Sequence, residues 1–592
     1  MFNLSFLCFL ILNLAFYFSI LRFFYFLREK FSFIDRLVCG FAIYLTSILG
    51  IFALSGFIHI YEFKTVLIFL LILLLFFSIY KFRIKESFTY TYHEIKDLFK
   101  ILVLFLKKDR LFLILFLIIF FEFILLLRFT LLYPPQGWDS YVYHLPIVSR
   151  IILEKGVLPI NFLNLHPHMY FPKNVEVLFS YYYLFTNTDK GLLVIHFPFL
   201  IFGVLSVYSV LRKLNIPREK SIYIISVLSI PIIPNQAGCA YIDIECGSIF
   251  LIFLNLLLLK FPYNIFFPAI SLSIGVGSKL SFLPIFGLFL IYGIVVLILK
   301  RRKFLLLIML FLCLITSFYH YLYNFYLTGN PLYPYSIKIS RRELFKGDID
   351  VPKQVDYFPT FTYDPFIIFK CLLEFSDEKN KHYIYDNRMG GFGHLFISLG
   401  LIPFFLFIFL SIKNKEKKFL KVLFFTFLFY LTGPYRWWPR FHIYLPFVAF
   451  IGTLYVWERY KQENIKKLIT LFTFFSFIEG IHERIILTPF SSLFSYDNNS
   501  FDILYIPPEI KTGYSNLYFY IQKYDKIGIW NLSSTPNILL GLILRNNFLI
   551  YLDKVEKEED LKYYHKVITS PGIRIEDFKK VYEDKNICLW EK

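Results

Sequence analysis

The chain has 592 residues, of which 57% are hydrophobic and 21% aromatic, and its formal net charge is +19. Apolar runs of about 17 to 24 residues recur along it, long enough to cross a hydrocarbon core of roughly 30 Å. Lysine and arginine cluster between these runs, as is typical of membrane topology, so the positive charge does not indicate nucleic-acid binding. We therefore predict a polytopic α-helical membrane protein.

The apolar runs predict about fourteen transmembrane helices, with one long polar gap after the fourth. They are placed at about 2–21, 38–58, 64–81, 111–132, 190–211, 220–237, 244–260, 262–278, 280–299, 304–327, 394–412, 419–434, 441–457 and 466–486.

The short loops divide into basic and non-basic sets, which predicts the topology. Residues 22–36, 82–110, 212–220, 300–303, 413–421 and 458–467 are basic, and alternation allows all six to face the cytoplasm. The long polar loops 133–189 and 328–393, the short "GPYRWWPRFH" and the tail then lie on the opposite side. We expect any chemistry on that extracytoplasmic face.

Two further segments have patterns of their own. The segment 84–100 is amphipathic and predicts a connector that lies on the membrane surface. Residues 488–592 contain the strand-like runs "KIGIWNL", "FLIYL", "HKVITS" and "NICLW", with helix-like "TPNILLGLILRNN" between the first two. They predict a small soluble extracytoplasmic α/β domain.

The stretch "GWDSYVYHLP" places Asp139 where a membrane helix ends. An ionisable group at the mouth of a helical bundle is costly to desolvate, so it is a functional candidate. Tyr143 falls on the same helical face at i+4. The alternative is that Asp139 only caps the helix that follows.

The next outer segment, "HPHMYFPKNVEVLFSYYYLF", carries His166, His168 and Lys173. The two histidines, with His144, lack a carboxylate at the spacing that a metal site favours. Together with Tyr143 they suit stacking on sugar rings or lining an acceptor groove.

"CAYIDIECGSIF" places Asp243 and Glu245 at the outer end of a membrane helix. In an extended turn, residues i and i+2 point the same way and could share a substrate or metal ligand. In a helix they diverge by roughly 200°. Capping or snorkelling is the alternative for both.

Three basic residues join these acids on the predicted outer face: Lys279 in "GVGSKLSF", and Arg436 and Arg440 in "GPYRWWPRFH". Arginine suits bidentate phosphate contacts, and lysine binds phosphate as a point charge. A carboxylate base beside cationic phosphate binders is what sugar transfer from a lipid phosphate requires. Lys173 is a further candidate for binding the donor phosphate.

Several motifs occur in the order seen in the GT-C superfamily of integral membrane glycosyltransferases. They are "GWDSYVYHLPIVSRI", "FPKNVEVLF", "AYIDIECGSIF", "GVGSKLSFLP", "GNPLYPY" and "RWWPRFHIYLP". The chain most resembles the bacterial branch related to protein O-mannosyltransferases and lipid A aminoarabinose transferases. The resemblance covers about residues 111–457.

The resemblance implies a GT-C catalytic core, here residues 111–487, preceded by additional helices in 1–110 and followed by the domain at 488–592. It implies an inverting transfer from a polyprenyl-phosphate-linked sugar, with Asp139 as the catalytic base and Asp243 and Lys279 at matching positions. The acceptor, a lipid, a glycan or a protein, would lie outside a bacterial cytoplasmic membrane. Some relatives hold a divalent cation such as Mg²⁺ or Mn²⁺, and Asp243 with Glu245 is a loose version of their paired acids.

Two other functions stay open from the sequence. A lipid-linked sugar transporter or flippase would place ions along a path through the membrane and would show an inverted hydropathy repeat. An O-antigen-type ligase or polymerase would rely on arginine in an outer loop, which Arg436 and Arg440 allow.

Overall fold

The computed structural model describes most of the helical part of the chain and the strands of its tail. The described residues are 4–79, 84–132, 135, 139–157, 170–188, 191–339, 342–349, 391–433, 438–485, 526–530, 551–554, 561, 566–569, 573–575, 577–583 and 588–592.

The described residues contain nineteen α-helices of four or more residues. In chain order they are α1 Leu4–Phe23, α2 Phe33–Gly56, α3 Phe63–Ile79, α4 Ile84–Lys108, α5 Arg110–Leu132, α6 Leu145–Leu153, α7 Asn174–Thr186, α8 His196–Lys213, α9 Arg218–Ser221, α10 Ile232–Ala237, α11 Asp243–Leu256, α12 Tyr263–Val276, α13 Leu283–Leu299, α14 Lys303–Cys313, α15 Tyr319–Thr328, α16 Ile402–Lys413, α17 Lys417–Thr432, α18 Tyr444–Tyr460 and α19 Asn464–Ile485.

Among the described residues, seven helical segments are long and apolar enough to cross a membrane. They are Leu4–Leu27, Phe33–Gly56, Arg110–Leu131, Leu192–Lys213, Leu280–Leu299, Lys303–Thr328 and Gly393–Lys413. The helices Phe63–Ser78 and Tyr263–Val276 are apolar but shorter. The prediction of a helical membrane protein is confirmed, whereas the count of fourteen spans stays a prediction.

Apolar side chains that face outwards are consistent with a lipid environment. On α1, Leu7, Ile11, Leu14 and Phe18 are exposed and recur at helical spacing, while Phe16 on another face is fully buried. In water such a continuous apolar face would be unfavourable, but hydrocarbon chains solvate it.

The segment predicted as one membrane helix at 220–237 is not a continuous α-helix. A 3-10 helix, Ile222–Ser229, is followed by Ile230 in an extended conformation and then by α10. Proline explains the break, because Pro231 disfavours helical backbone at the preceding residue.

Helix α4 presents one apolar face to the exterior. Phe88, Tyr92, Ile95 and Phe99 are all exposed and lie three or four positions apart. This spacing fits the amphipathic connector expected from the sequence, and its position on the membrane surface stays a prediction.

Strands occur in the long loop after α15 and in the tail. The loop contains an antiparallel hairpin of β1 Ile337–Ile339 and β2 Arg342–Phe345. The tail forms a five-stranded mixed sheet of order β4-β3-β5-β7-β6. Its strands are β3 Lys526–Trp530, β4 Tyr551–Lys554, β5 Lys566–Thr569, β6 Lys579–Glu583 and β7 Cys588–Glu591.

Four of the five tail strands fall on runs that the sequence singled out, and β6 is additional. The strand β3 pairs in parallel with β4 and β5, and β7 pairs antiparallel with β5 and β6. The helix-like run between β3 and β4 lies outside the described residues. The soluble domain and its side of the membrane stay predictions.

Candidate functional site: a cluster of acids and cations at helix ends

Helices α11 and α12 bring an acid and a lysine together at one end of the bundle. Asp243 is the first residue of α11, and Lys279 follows the end of α12. A short connection joins the two helices, so the start of α11 and the end of α12 lie at the same level. There Lys279 Nζ donates a hydrogen bond to Asp243 Oδ1 at 2.6 Å.

Arg440 links this pair to Asp139. It lies in the 3-10 helix Pro439–His442, just before α18, and its Nη2 donates to Asp139 Oδ2 at 2.9 Å. Its Nε lies 3.9 Å from Asp243 Oδ2. Asp139, Arg440, Asp243 and Lys279 thus form one connected group, which we call the charge cluster.

The charge cluster is largely removed from solvent. The side chains of Asp139 and Arg440 are 19% and 7% exposed, and those of Asp243 and Lys279 are 4% and 17% exposed. Taking paired charges out of water is often no more stabilising than packing apolar residues there. A buried group of four charges is therefore more readily explained by function than by stability.

Aromatic rings surround the two cations. The ring of Phe441 lies 3.7 Å from Lys279 Nζ, and the Arg440 guanidinium carbon lies 4.9 Å from the Tyr241 ring centroid and 5.1 Å from that of Trp438. Ring faces attract cations and also suit contact with a sugar. The cluster therefore combines cationic groups with flat aromatic surfaces.

Two hydrogen bonds hold Asp139 against the turn before α11. The backbone N–H of Asp139 donates to Tyr241 Oη at 3.2 Å, and the Ala240 N–H donates to Ser140 Oγ at 2.8 Å. The Asp139 side chain makes no capping hydrogen bond to the π-helical turn that follows it. The capping role that its spacing allowed is thus not observed, and the carboxylate contacts Arg440 instead.

Glu245 does not join the charge cluster. It lies on another face of α11, where its Oε1 is 2.5 Å from His196 Nδ1, and both side chains are fully buried. The Nε2 atom of His196 contacts the carbonyl oxygen of Cys239 at 2.7 Å. Because residues 243 and 245 are helical, the shared site that an unwound turn would have allowed does not form. His196 and Glu245 instead support the turn that precedes Asp243.

A second buried pair lies beside Asp139. His144 Nδ1 is 2.7 Å from Glu176 Oε1, and both side chains are almost completely buried. The ring of Tyr143 lies 4.0 Å from that of His144, and Tyr143 is half-buried. Glu176 Oε2 is buried and has no hydrogen-bond partner among the described residues. Tyr143 and His144 are thus placed next to the cluster, but neither belongs to its chain of ion pairs.

Lys173 precedes α7 and is buried. Its Nζ donates to the carbonyl oxygen of Phe171 at 2.9 Å, and the described contacts do not connect it to the charge cluster. Burial lowers the pKa of the Lys173 amine to about 7, although the charge of Glu176 opposes this shift.

Three predicted site residues, Arg436, His166 and His168, lie outside the described part of the chain. In the part that is described, no three His, Cys, Asp or Glu side chains converge as a metal site would require. Asp139 and Asp243 both contact cationic side chains, and Glu245 contacts His196. Asp243 and Glu245 therefore do not fit the shared divalent-cation site that the family resemblance allowed.

Sequence reasoning missed Glu176, His196 and Tyr241. The first two are single ionisable residues in the otherwise apolar runs "NVEVLFSYYYLF" and "LLVIHFPFL", which is a usable signal. Tyr241 has no such signal, because tyrosine is common throughout this chain, with 44 copies.

No protein-family model, curated protein or solved structure matches the chain. Membership of the GT-C superfamily therefore stays a prediction from the motifs quoted above.

Proposed function

We propose that the protein is a GT-C-like membrane glycosyltransferase that moves a monosaccharide from a polyprenyl-phosphate donor to an extracytoplasmic lipid, glycan or protein. The single observation that carries the proposal is the charge cluster. Four distant parts of the chain bring two acids and two cations to one end of the helical bundle, beside aromatic rings. A water-soluble sugar and a lipid tail both reach such a position.

The two cations bind the donor phosphate. In the cluster, Arg440 and Lys279 contact carboxylates, which resemble a phosphate in charge and in oxygen geometry. When the donor phosphodiester enters, it competes for these cations. Their hydrogen bonds then stabilise the negative charge that grows on the phosphate as the sugar leaves.

Asp139 is the general base. Once Arg440 turns towards the phosphate, the Asp139 carboxylate accepts the proton of the acceptor hydroxyl. The hydroxyl oxygen bonds to the anomeric carbon as that carbon's bond to the phosphate oxygen breaks, so the configuration inverts. The products are the glycosylated acceptor, polyprenyl phosphate and a protonated Asp139, which returns its proton to water.

The neighbouring residues have supporting roles in this proposal. Lys173 is a further contact for the donor phosphate, and Tyr143 and His144 line the groove for the sugar or acceptor. Arg436, His166 and His168 are assigned to the same donor and acceptor sites from the sequence alone. The location is a bacterial cytoplasmic membrane, with the active site on its outer face.

The proposal is tested by the surface glycans of cells that lack the gene. We expect mass spectrometry to show at least one glycan, glycolipid or glycopeptide that is lighter by one monosaccharide, and restored by the wild-type gene. A full set of unchanged glycans would contradict the proposal. If whole lipid-linked sugars accumulated instead, with no acceptor short of one residue, a flippase or ligase would be supported.

The side of the membrane is tested by cysteine labelling in intact cells. Glu343 lies exposed in β2, on the predicted outer side, and Lys300 lies exposed in a predicted cytoplasmic loop. A membrane-impermeant maleimide should label Glu343→Cys without permeabilisation and Lys300→Cys only after it. Both variants need a background in which the exposed Cys8 and Cys371 of the predicted outer loop are replaced. The reverse pattern would place the charge cluster's loops on the wrong side for this function.

A further inference from the structure

A cavity of about 680 Å³ is lined by residues from three separate parts of the chain. It lies between the end of α4, the start of α5, the α9 turn and the start of α19. None of the charge cluster's residues lines it. Its basic residues belong to loops that the sequence predicts to be cytoplasmic.

The lining of this cavity carries an excess of positive charge. Lys108, Arg110, Arg218 and Lys466 contribute cations, against the acids Asp109 and Glu219. Within the described chain, Lys108, Arg110 and Arg218 form no ion pair, whereas Lys466 Nζ lies 3.3 Å from Glu463 Oε2.

One of the two acids, Asp109, accepts hydrogen bonds that stabilise the fold. Asp109 Oδ1 accepts the backbone N–H groups of Leu111 and Phe112 at 3.1 and 3.2 Å, and its Oδ2 accepts the Tyr223 hydroxyl at 2.9 Å. It therefore caps α5 and forms no ion pair with a cation of the cavity among the described residues, although its charge still counts against theirs. The balance of charge facing the cavity favours an anion.

The floor of the cavity is apolar. The rings of Phe112 and Tyr223 are 5.5 Å apart and almost fully buried, and Leu104 and Phe105 continue the wall. Arg110 is the first residue of a segment long enough to span the membrane, so the cations lie at the level where lipid headgroups lie.

We propose that this cavity is a binding site for an anionic phospholipid. The cations contact the headgroup phosphate, and the first carbons of the acyl chains lie against the aromatic floor. A free phosphate would make no use of the apolar wall. The bound lipid joins α4 to α5 and α19, and this role does not depend on glycosyl transfer.

The probe is phosphatidylglycerol added to the purified full chain in detergent, with phosphatidylcholine and inorganic phosphate as comparisons. Lipid retained by the protein is counted by native mass spectrometry. We expect phosphatidylglycerol to be retained and the other two not. Equal retention of phosphatidylcholine would overturn the proposal, and so would inorganic phosphate that displaces the lipid at millimolar concentration.

A triple variant, Arg110→Gln with Arg218→Gln and Lys466→Gln, tests the residues. Since each cation near an anionic lipid contributes about a fivefold factor, we expect affinity for phosphatidylglycerol to fall about 100-fold. The matched control removes three exposed cations from another predicted cytoplasmic loop, Lys300, Arg301 and Lys303, and should keep wild-type affinity. Equal loss in both triple variants would contradict a specific site.

A variant that is expected to bind the lipid more tightly gives a result that misfolding cannot explain. Glu219→Gln removes the acid that faces the cavity and should strengthen phosphatidylglycerol binding about fivefold. Unfolding does not produce tighter binding, so this result would support the site even if the triple variant failed to fold. Unchanged or weaker binding by a folded Glu219→Gln protein would overturn it.

Discussion

A group of polar side chains lies at each end of helix α11, and the two groups differ in composition. At its start lies the charge cluster, in which Asp243 contacts Lys279 and Arg440. At its other end, Asn255 belongs to a group around Asp35 of α2, which we call the Asp35 network. Asp35 Oδ1 accepts from Ser209 Oγ at 2.7 Å, from Lys213 Nζ at 2.8 Å and from Asn255 Nδ2 at 3.3 Å.

The two groups differ because neutral hydrogen-bond donors reach the carboxylate of Asp35. The second oxygen of Asp35 accepts from Ser32 Oγ at 2.8 Å, and Lys213 also donates to Asn255 Oδ1 at 2.7 Å. The network is thus satisfied by residues that are fixed by α2, α8 and α11. In the charge cluster, by contrast, the hydrogen bonds and ion pairs that the Asp139 and Asp243 carboxylates form with described residues all come from cationic side chains. A satisfied network stabilises a fold, whereas a cluster held by opposite charges can exchange one anion for another.

The largest effect is expected from breaking the Asp35 network. Asp35→Ala leaves the largely buried Lys213 without its acid, and loss of one partner of a buried ion pair destabilises by about 3–5 kcal/mol. We expect little folded protein in detergent by fluorescence-detected size-exclusion chromatography. As a control, Glu62→Gln removes an exposed ion pair with Lys155 and should leave the yield unchanged. A stable Asp35→Ala protein would remove the contrast drawn between the two groups.

Removing one cation from the charge cluster should affect binding more than folding, because the other cation still lies beside the buried Asp243. For Lys279→Ala and Arg440→Ala we expect affinity for undecaprenyl phosphate to fall at least about tenfold, because each loses a charge-assisted hydrogen bond. Microscale thermophoresis on the purified variants measures this, with Lys303→Ala as the control for loss of an exposed cation. Wild-type affinity in either cluster variant would assign its cation to structure alone.

The turn before α11 depends on His196 and Glu245, so changes there should lower transfer indirectly. His196→Ala removes two contacts and is expected to reduce the transfer rate about tenfold by displacing Tyr241 and Asp243. Glu245→Gln keeps a hydrogen-bonding group and should cost about threefold. If the two variants lost stability but kept the wild-type rate, the pair would have no positioning role.

The smallest effect is a pH dependence from Lys173. Because the pKa of its amine is about 7, the charge is lost as pH rises through neutrality, and donor affinity should fall about threefold between pH 6.5 and 7.5. Lys173→Arg keeps its charge and should abolish this dependence.

The same titration changes the stability of the fold in the opposite direction to donor affinity. The folded-state pKa lies below that of an unfolded lysine, about 10.4, so between these values the unfolded chain binds more protons. The contribution of Lys173 to stability therefore rises with pH in the range where donor affinity falls. If donor affinity and stability both fell as the pH was raised, a group other than Lys173 would be responsible for the pH dependence.

The sequence allowed the four residues of the charge cluster to be picked out as candidates, but not the pairs that they form. Asp139, Asp243, Lys279 and Arg440 are recognisable because ionisable groups are rare at the ends of apolar runs. Their pairing cannot be recognised in the sequence, because Asp139 and Arg440 are 301 positions apart and meet only when the helices pack. Proximity in sequence suggested that Asp243 and Glu245 act together, and the helical geometry of α11 separates them.

The same limit applies to the fold. Long apolar runs predicted a helical membrane protein, but the chain at 220–237 is divided by Pro231 into a 3-10 helix and a short α-helix. Strand β6, in "KKVYE", was missed because its residues are mostly charged or polar and it pairs only with β7 at the sheet edge.

The most direct test of the account is the rate of transfer by Asp139→Asn, measured as the return of the missing monosaccharide to the glycans of cells that lack the gene. Asparagine keeps the shape of the side chain but cannot accept the proton, so we expect a rate at least about 100-fold below wild type at equal membrane abundance. Glu154→Gln, which removes a partly exposed acid outside the charge cluster, should transfer at the wild-type rate. A rate near wild type for Asp139→Asn would contradict the assignment of Asp139 as the base.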